Sequence, residues 1–192
     1  FNDIRSQFYA SSEWTSGYPA ATGIGTQHGG ILVDFNAVKG GIEIIPLDND
    51  WQKAAHVYSD EVLISHRTDA EKGTPKFERG KSLSDYQCEM IYISGTAAIR
   101  GEESIVTGDV LVQTEITLEN IQHLIGLEEG REKLPEHSGK LELLRVYLKH
   151  EEDAKIVKED MDKLCPDVSI VYLYADVCRE ELLVEIEGIA YL

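Results

Sequence analysis

The sequence predicts an α+β fold: a mixed β-sheet with two helices packed on one face, preceded by an N-terminal β extension. Three observations lead there. From residue 86 onward the apolar residues follow strand-like and helix-like periods in the order strand, helix, strand, helix, strand, strand. The 192 residues, 42% of them hydrophobic, suffice for one buried core. Charged side chains interrupt patterned apolar runs instead of forming a disordered acidic tail. No internal repeat or low-complexity linker occurs, so the chain is divided into an N-terminal loop and β extension at 1–85 and an α+β domain at 86–192.

Residues 1–30 are rich in Gly, Ser, Thr and aromatic side chains. Tyr18-Pro19 with Gly23, Gly25, Gly29 and Gly30 predicts ordered turns there rather than a helix. Apolar stretches at 31–38 and 42–47 flank Lys39-Gly40-Gly41, the arrangement of a β-hairpin or tight strand connection. Residues 48–85 are polar, with turns at Asp48-Asn49-Asp50 and Gly73-Thr74-Pro75 and a short strand expected over 57–65. Residues 86–99 are apolar and β-prone, and are expected to form a central strand.

Between Gly108 and Gly126, Val110, Thr114, Leu118, Ile121 and Ile125 recur at steps of three and four. A helix starting at Asp109 would bury that stripe, with the Asp109 carboxylate capping the first turn and Gly126 ending it. Residues 141–148 read as a strand and 151–164 as a second helix, with Ala154, Val157, Met161 and Leu164 facing inward and Pro166 past its end. Two further strands follow at 168–177 and 182–192, separated by the polar turn Cys178-Arg179-Glu180-Glu181.

The balance of 18 basic against 35 acidic residues, a net charge of −17, disfavours nonspecific binding to nucleic acid or anionic membrane, which needs clustered Lys and Arg. No stretch approaches the roughly 18–20 apolar residues of a membrane span, and none resembles a signal peptide. Cys88, Cys165 and Cys178 are widely spaced and match no zinc or thiol-exchange motif, so a reducing, cytoplasmic setting is expected. The histidines His28, His56, His66, His123, His137 and His150 include no pair at the spacing of an HExxH metal site. Neither a GxGxxG nor a GxxxxGK[ST] loop is present, and no cofactor is called for.

Several polar residues are candidates for chemistry. Glu185 and Glu187 fall on one side of the last strand because side chains alternate. Two carboxylates one strand step apart repel, and poor hydration would leave one of them protonated as a general acid; a solvent-facing pair would do nothing. Arg5, Arg67, Arg79, Arg100, Arg131, Arg145, Arg179 and Lys149 are scattered cations, of which a local cluster would be needed to hold an anion against the overall field. Cys178 reads either as a nucleophile or as a small apolar group beside a pocket, the second being preferred. Gly95 and Thr96 offer backbone donors and a hydroxyl, or merely close a bend. Tyr58, Tyr86, Tyr92 and Tyr147 could stack on or hydrogen-bond to a cyclic ligand.

Residues 92–126 together with Leu182-Leu183-Val184-Glu185-Ile186-Glu187-Gly188-Ile189-Ala190 resemble the reactive-intermediate deaminase (YjgF-like, endoribonuclease L-PSP-like) superfamily. That resemblance implies the α+β fold and a homotrimer with ligand clefts between subunits. Imine deaminases of the superfamily carry a Pro-x-Arg-Ser arginine where Pro166-Asp167-Val168-Ser169 has Val168, which counts against imine or enamine deamination here. The segments Tyr18-Pro19-Ala20-Ala21-Thr22-Gly23-Ile24-Gly25, Thr74-Pro75-Lys76-Phe77-Glu78-Arg79 and residues 172–190 are similar to the chorismatase branch. Chorismatases remove the enolpyruvyl group of chorismate as pyruvate.

The resemblance implies Glu185 as the acid-base residue and places Cys178 where the 3-hydroxybenzoate-forming subclass has cysteine. It leaves Arg179, Arg79, Gly95, Thr96 and Tyr92 to bind a small carboxylate substrate, with no metal. It also implies a further domain ahead of Phe1, with Phe1-Asn2-Asp3-Ile4-Arg5 as its tail. A trimeric small-carboxylate binding protein without chemistry is the alternative outside enzymology.

Overall fold

A computed structural model of the protein describes residues 2–12, 17–63, 73–85, 88–126 and 140–192. In chain order the elements are α1 (Asn2–Ser11), β1 (Glu43–Leu47), β2 (Gly80–Ser84), β3 (Glu89–Thr96), β4 (Ile99–Arg100), β5 (Glu103–Ser104), α2 (Val110–Leu124), β6 (Lys140–Leu148), α3 (Ala154–Leu164), β7 (Ser169–Tyr174) and β8 (Val184–Tyr191). One mixed sheet runs β1-β2-β3-β8-β6-β7, and β4 and β5 form a separate ribbon. Among the strands of the described residues, β6 and β7 alone pair in parallel, joined through α3 as a parallel crossover requires. Among the described residues no helix is long and apolar enough to cross a membrane.

The α+β fold with α2 and α3 on one face of the mixed sheet is as expected, and α2 follows the sequence closely. Asp109 accepts from the N–H groups of Leu111 at 2.9 Å and Val112 at 3.4 Å, a cap that contributes about 1 kcal/mol. Val110, Thr114, Leu118, Ile121 and Ile125 are all buried, and Gly126 adopts the positive φ of a helix stop. The core lies between α2, α3 and one sheet face, built from Ile91 and Ile93 of β3, Val146 and Leu148 of β6, and Val184 and Ile186 of β8. Each such side chain contributes about 1.5–3 kcal/mol by leaving water. Alternation along β8 then sends Glu185 and Glu187 to the face opposite α2 and α3.

Four expectations are corrected. Residues 2–11 form a helix, because they contain neither Gly nor Pro and place Asp3 in the first turn, where free N–H groups favour a carboxylate. The turn-forming residues of that region start only at Gly17. The 31–47 hairpin is not formed: residues 31–38 have no strand partner among the described residues, Ile31 is 96% exposed, and β1 pairs with β2 instead. Gly40 and Gly41 both take positive φ, which turns the chain without folding 31–38 back onto β1. Residues 55–57 form a 3-10 turn and 58–63 no strand; 64 and 65 lie outside the described residues. Leu164 is exposed, since at the last turn of α3 Cys165 faces the core in its place.

β2 comes from the polar 48–85 segment and has the boundary drawn at residue 85 between it and its partner β3. Lys81 and Ser82 are buried there because β2 is an inner strand. Lys81 is satisfied by donating to the Tyr18 carbonyl at 2.6 Å, which draws the 17–25 loop onto the sheet.

Candidate active site

The site forms where β3 leaves β8. The pairing register of the two strands shifts between Ile93 and Thr96. At that bulge, Ser94 N–H donates to the Arg79 carbonyl at 3.1 Å, and Gly95 N–H reaches Thr22 Oγ1 at 2.9 Å. Ser94 Oγ accepts from Ala21 N–H at 3.0 Å and donates to the Glu78 carbonyl at 2.5 Å. The Glu78 carboxylate in turn accepts from Tyr18 N–H at 2.8 Å. At the other end of the loop, Gly25 and Asp176 exchange backbone hydrogen bonds. The Tyr18 to Gly25 motif is therefore a strap fixed over the end of β3.

Beneath the strap lies Glu185. A β-carbon added at Gly95 would stand 2.1 Å from Glu185 Oε1 and 2.8 Å from Thr22 Cγ2, so the missing side chain is what makes room for the carboxyl. Glu185 is 8% exposed, and among the described residues none donates a hydrogen bond to its carboxyl. Burial, reinforced by the Glu187 charge and opposed by Arg79, pushes its pKa up to about 8. At neutral pH it is predominantly protonated, the state a general acid needs.

Glu187 is the hydrogen-bonded member of the pair. It accepts from Arg145 Nη1 at 2.8 Å and from Tyr147 Oη at 2.7 Å. Both donors lie on β6, whose register sets Arg145 opposite Glu187 and Tyr147 opposite Glu185. Burial, followed by the bond to Glu187, raises the Tyr147 pKa, so the phenol keeps its proton. This fastening was not legible beforehand: Arg145 and Tyr147 share the two-residue spacing of Glu185 and Glu187, but only the strand register joins the pairs. The approach to β8 is fixed too, since the buried Gln113 side chain donates to the Glu181 carbonyl and accepts from Leu183 N–H.

The other candidates divide clearly. Cys178 is an exposed residue whose sulfur donates to the Gly23 carbonyl at 3.0 Å, on the strap. Desolvation of the sulfur first, then the charges of Glu185 and Asp176, push its pKa up to about 11, so it is present as a thiol and is a poor nucleophile. Arg79 is buried, its carbonyl accepts from Ser94 N–H at the bulge beside Gly95, and its charge opposes the rise in the Glu185 pKa. Arg179 donates to the Glu102 carbonyl at 2.9 Å and Ser104 Oγ at 3.0 Å, and borders a groove of about 400 Å³ with Glu103, Val106 and Glu181. Glu185 is not in that groove but under Gly95 and Thr22.

Gly95 belongs to the site through its bare Cα. Thr96 is buried and spends its hydroxyl proton on the Ser94 carbonyl at 2.9 Å. Tyr92 pairs with Ile189, two same-face steps from Glu185 and so about 13 Å along the strand. Thr22, which the sequence marks only as part of the Tyr18 to Gly25 motif, joins the site through its bond from Gly95 N–H. Elsewhere, Arg100 pairs with Glu119 and lies over Trp51, and Arg5 donates to Asn2. Tyr86, Arg67, Arg131, His66 and His137 lie outside the described residues.

No family model matches the chain. It is 35% identical over 179 residues to a chorismatase of Streptomyces rapamycinicus, a match covering 89% of this chain and 50% of that protein. It is 33% identical over 185 residues to a 3-hydroxybenzoate synthase of Streptomyces hygroscopicus, covering 90% of this chain and 50% of that one. A crystal structure of a chorismatase superposes with a TM-score of 0.65 at 29% identity, over 90% of this chain and 50% of that one. An endoribonuclease L-PSP protein from Entamoeba histolytica shares the fold with a TM-score of 0.51 at 12% identity. The chain thus spans about half the length of the curated relatives it matches.

Proposed function

The chain belongs to the chorismatase branch of the YjgF-like superfamily, and on that premise we propose that it converts chorismate to pyruvate and 3-hydroxybenzoate with Glu185 as its general acid. The observation carrying this reading is the Glu185 carboxyl, buried against the bare Cα of Gly95 with a pKa near 8. Glu185 would protonate the methylene carbon of the enolpyruvyl ether, leaving an oxocarbenium-like centre on the ether carbon. Capture by a ring hydroxyl, then loss of pyruvate and aromatisation, gives 3-hydroxybenzoate with no net use of water. Capture by water gives the dihydroxycyclohexadiene carboxylate instead.

Arg79 and Arg179 supply the positive charge that a dianion needs near a protein of net charge −17. Cys178, held as a thiol beside the strap, shapes which oxygen reaches the cationic centre. A deaminase reading is less favoured because Val168 packs against the core where those enzymes have arginine.

The test is incubation of the full-length protein with chorismate. Equimolar pyruvate and 3-hydroxybenzoate are expected, and no product at high enzyme concentration overturns the reading. Ammonia from a 2-aminoacrylate-type substrate would favour the deaminase, and unchanged bound ligand a binding protein.

Because the protonated form is the active one, kcat/KM should fall as pH rises through about 8. Glu187→Gln removes a neighbouring negative charge, so that alkaline limb should move to lower pH. An unmoved limb would show that Glu187 does not tune the acid.

The same proposal includes a cytoplasmic homotrimer with intersubunit clefts. The face bearing Glu185, opposite α2 and α3, exposes Val171 and Leu173, a surface suited to such an assembly and checkable by the mass in solution.

A further inference from the structure

We infer that Thr22 is a positioning residue for the buried acid: its hydroxyl ties the strap to β3, while its methyl group shuts water out from the Glu185 carboxyl. The inference rests on reading Glu185 as the general acid of the proposed reaction.

Thr22 Oγ1 accepts from Gly95 N–H at 2.9 Å. That bond fixes the side-chain torsion, and because threonine carries both branches on its β-carbon, the direction of the methyl is fixed with it. Thr22 Cγ2 lies 2.8 Å, and Glu185 Oε1 2.1 Å, from the point that a β-carbon on Gly95 would occupy. Methyl and carboxyl therefore border one space, that of a single missing methyl group. A water oxygen at that point would overlap both. Its chain neighbours hold Thr22 there: Ala21 N–H donates to Ser94 Oγ at 3.0 Å, and the Gly23 carbonyl accepts from Cys178 Sγ at 3.0 Å.

The titratable and charged groups around the carboxyl are Glu187 on the same strand, Tyr147 on β6, Arg79 ahead of β2 and Cys178 on the turn before β8. None of the four belongs to the strap, so a change at Thr22 leaves their charges in place and alters hydration. Hydration matters most, because burial outweighs the Glu187 charge as the cause of the raised Glu185 pKa.

Two substitutions separate the halves of the side chain, read in full-length protein by carbon-13 NMR of labelled glutamate carboxyls. The Glu185 signal is the one missing from Glu185→Gln. Thr22→Ser keeps the hydroxyl and drops the methyl, so the Glu185 midpoint should fall by about one pH unit from its value near 8, part of the roughly 3–5 units that full burial can supply. Its unfolding midpoint should stay near that of the wild type. Thr22→Val keeps a branched methyl against the acid and loses the acceptor, so the Glu185 midpoint should stay where it is while the protein unfolds at lower temperature, Gly95 N–H having lost its partner on the side chain. In turnover, the alkaline limb of kcat/KM should shift in the serine variant and not in the valine variant.

An unmoved Glu185 titration in Thr22→Ser overturns the inference, as does an equal shift in both variants. A Thr22→Val protein as heat-stable as the wild type removes the role of the hydroxyl and overturns it too. The expected titrations without pyruvate release from chorismate would sink the chorismate reading alone.

Discussion

Glu185→Gln should abolish most pyruvate release from chorismate, lowering turnover by about 10²–10⁴-fold while the protein keeps its fold. Glutamine has nearly the same shape and fits the same space beneath Gly95, but its amide cannot deliver an acidic proton to carbon. The fold should tolerate the change well, because the native carboxyl is already neutral at pH 7 and receives no hydrogen bond from the described residues. Circular dichroism and the unfolding midpoint separate the two effects, and full turnover in the variant would remove Glu185 from the chemistry.

The same substitution makes a stability prediction whose sign follows from the raised pKa. Folded Glu185 keeps its proton up to about pH 8, whereas the unfolded chain releases it near the ordinary value of 4.5. Its contribution is therefore fully present below 4.5 and is lost as pH rises through about 8. Glu185→Gln carries no such dependence, so the variant should gain on the wild type across that window. An unchanged difference in unfolding midpoint between pH 5 and pH 9 would mean that Glu185 ionises freely in the folded protein.

What could be read in advance divides along a physical line. α2 announced itself because its stripe, its capping Asp109 and its terminal Gly126 are all local and agree with one another. Glu185 and Glu187 were legible for the same reason, since alternation within one strand needs no knowledge of its neighbours. β2 was not, because Gly80, Lys81 and Ser82 carry no apolar pattern and become an inner strand only through partners on either side. Residues 31–38 show the converse, an apolar run with no strand partner among the described residues. The tyrosines and arginines behave likewise: nothing in the spacing of Tyr58, Arg79 and Arg179 brings them together, and the contacts of the Tyr58 loop with Arg79, Arg179 and Glu102 do.

Gly95→Ala should be nearly as damaging to turnover as loss of the acid itself, and by a different route. Gly95 does not have a positive φ, so alanine carries no backbone penalty there and its effect is steric. The new methyl would sit 2.1 Å from Glu185 Oε1, far inside contact distance, with Thr22 Cγ2 closing the other side at 2.8 Å. Of these neighbours, the end of the Glu185 side chain moves most easily, whereas Thr22 is tied to the Gly95 N–H. The carboxyl should swing away, and a displacement of about 1 Å at a reacting group costs on the order of 10²-fold in rate. Since the fold relaxes through one side chain, the unfolding midpoint should move little. The two substitutions should also fail to add: once Gly95→Ala has displaced the acid, Glu185→Gln has little left to remove. Multiplicative losses in the double variant, or a wild-type rate in Gly95→Ala alone, would mean that the proton is delivered from somewhere other than the space beneath β3.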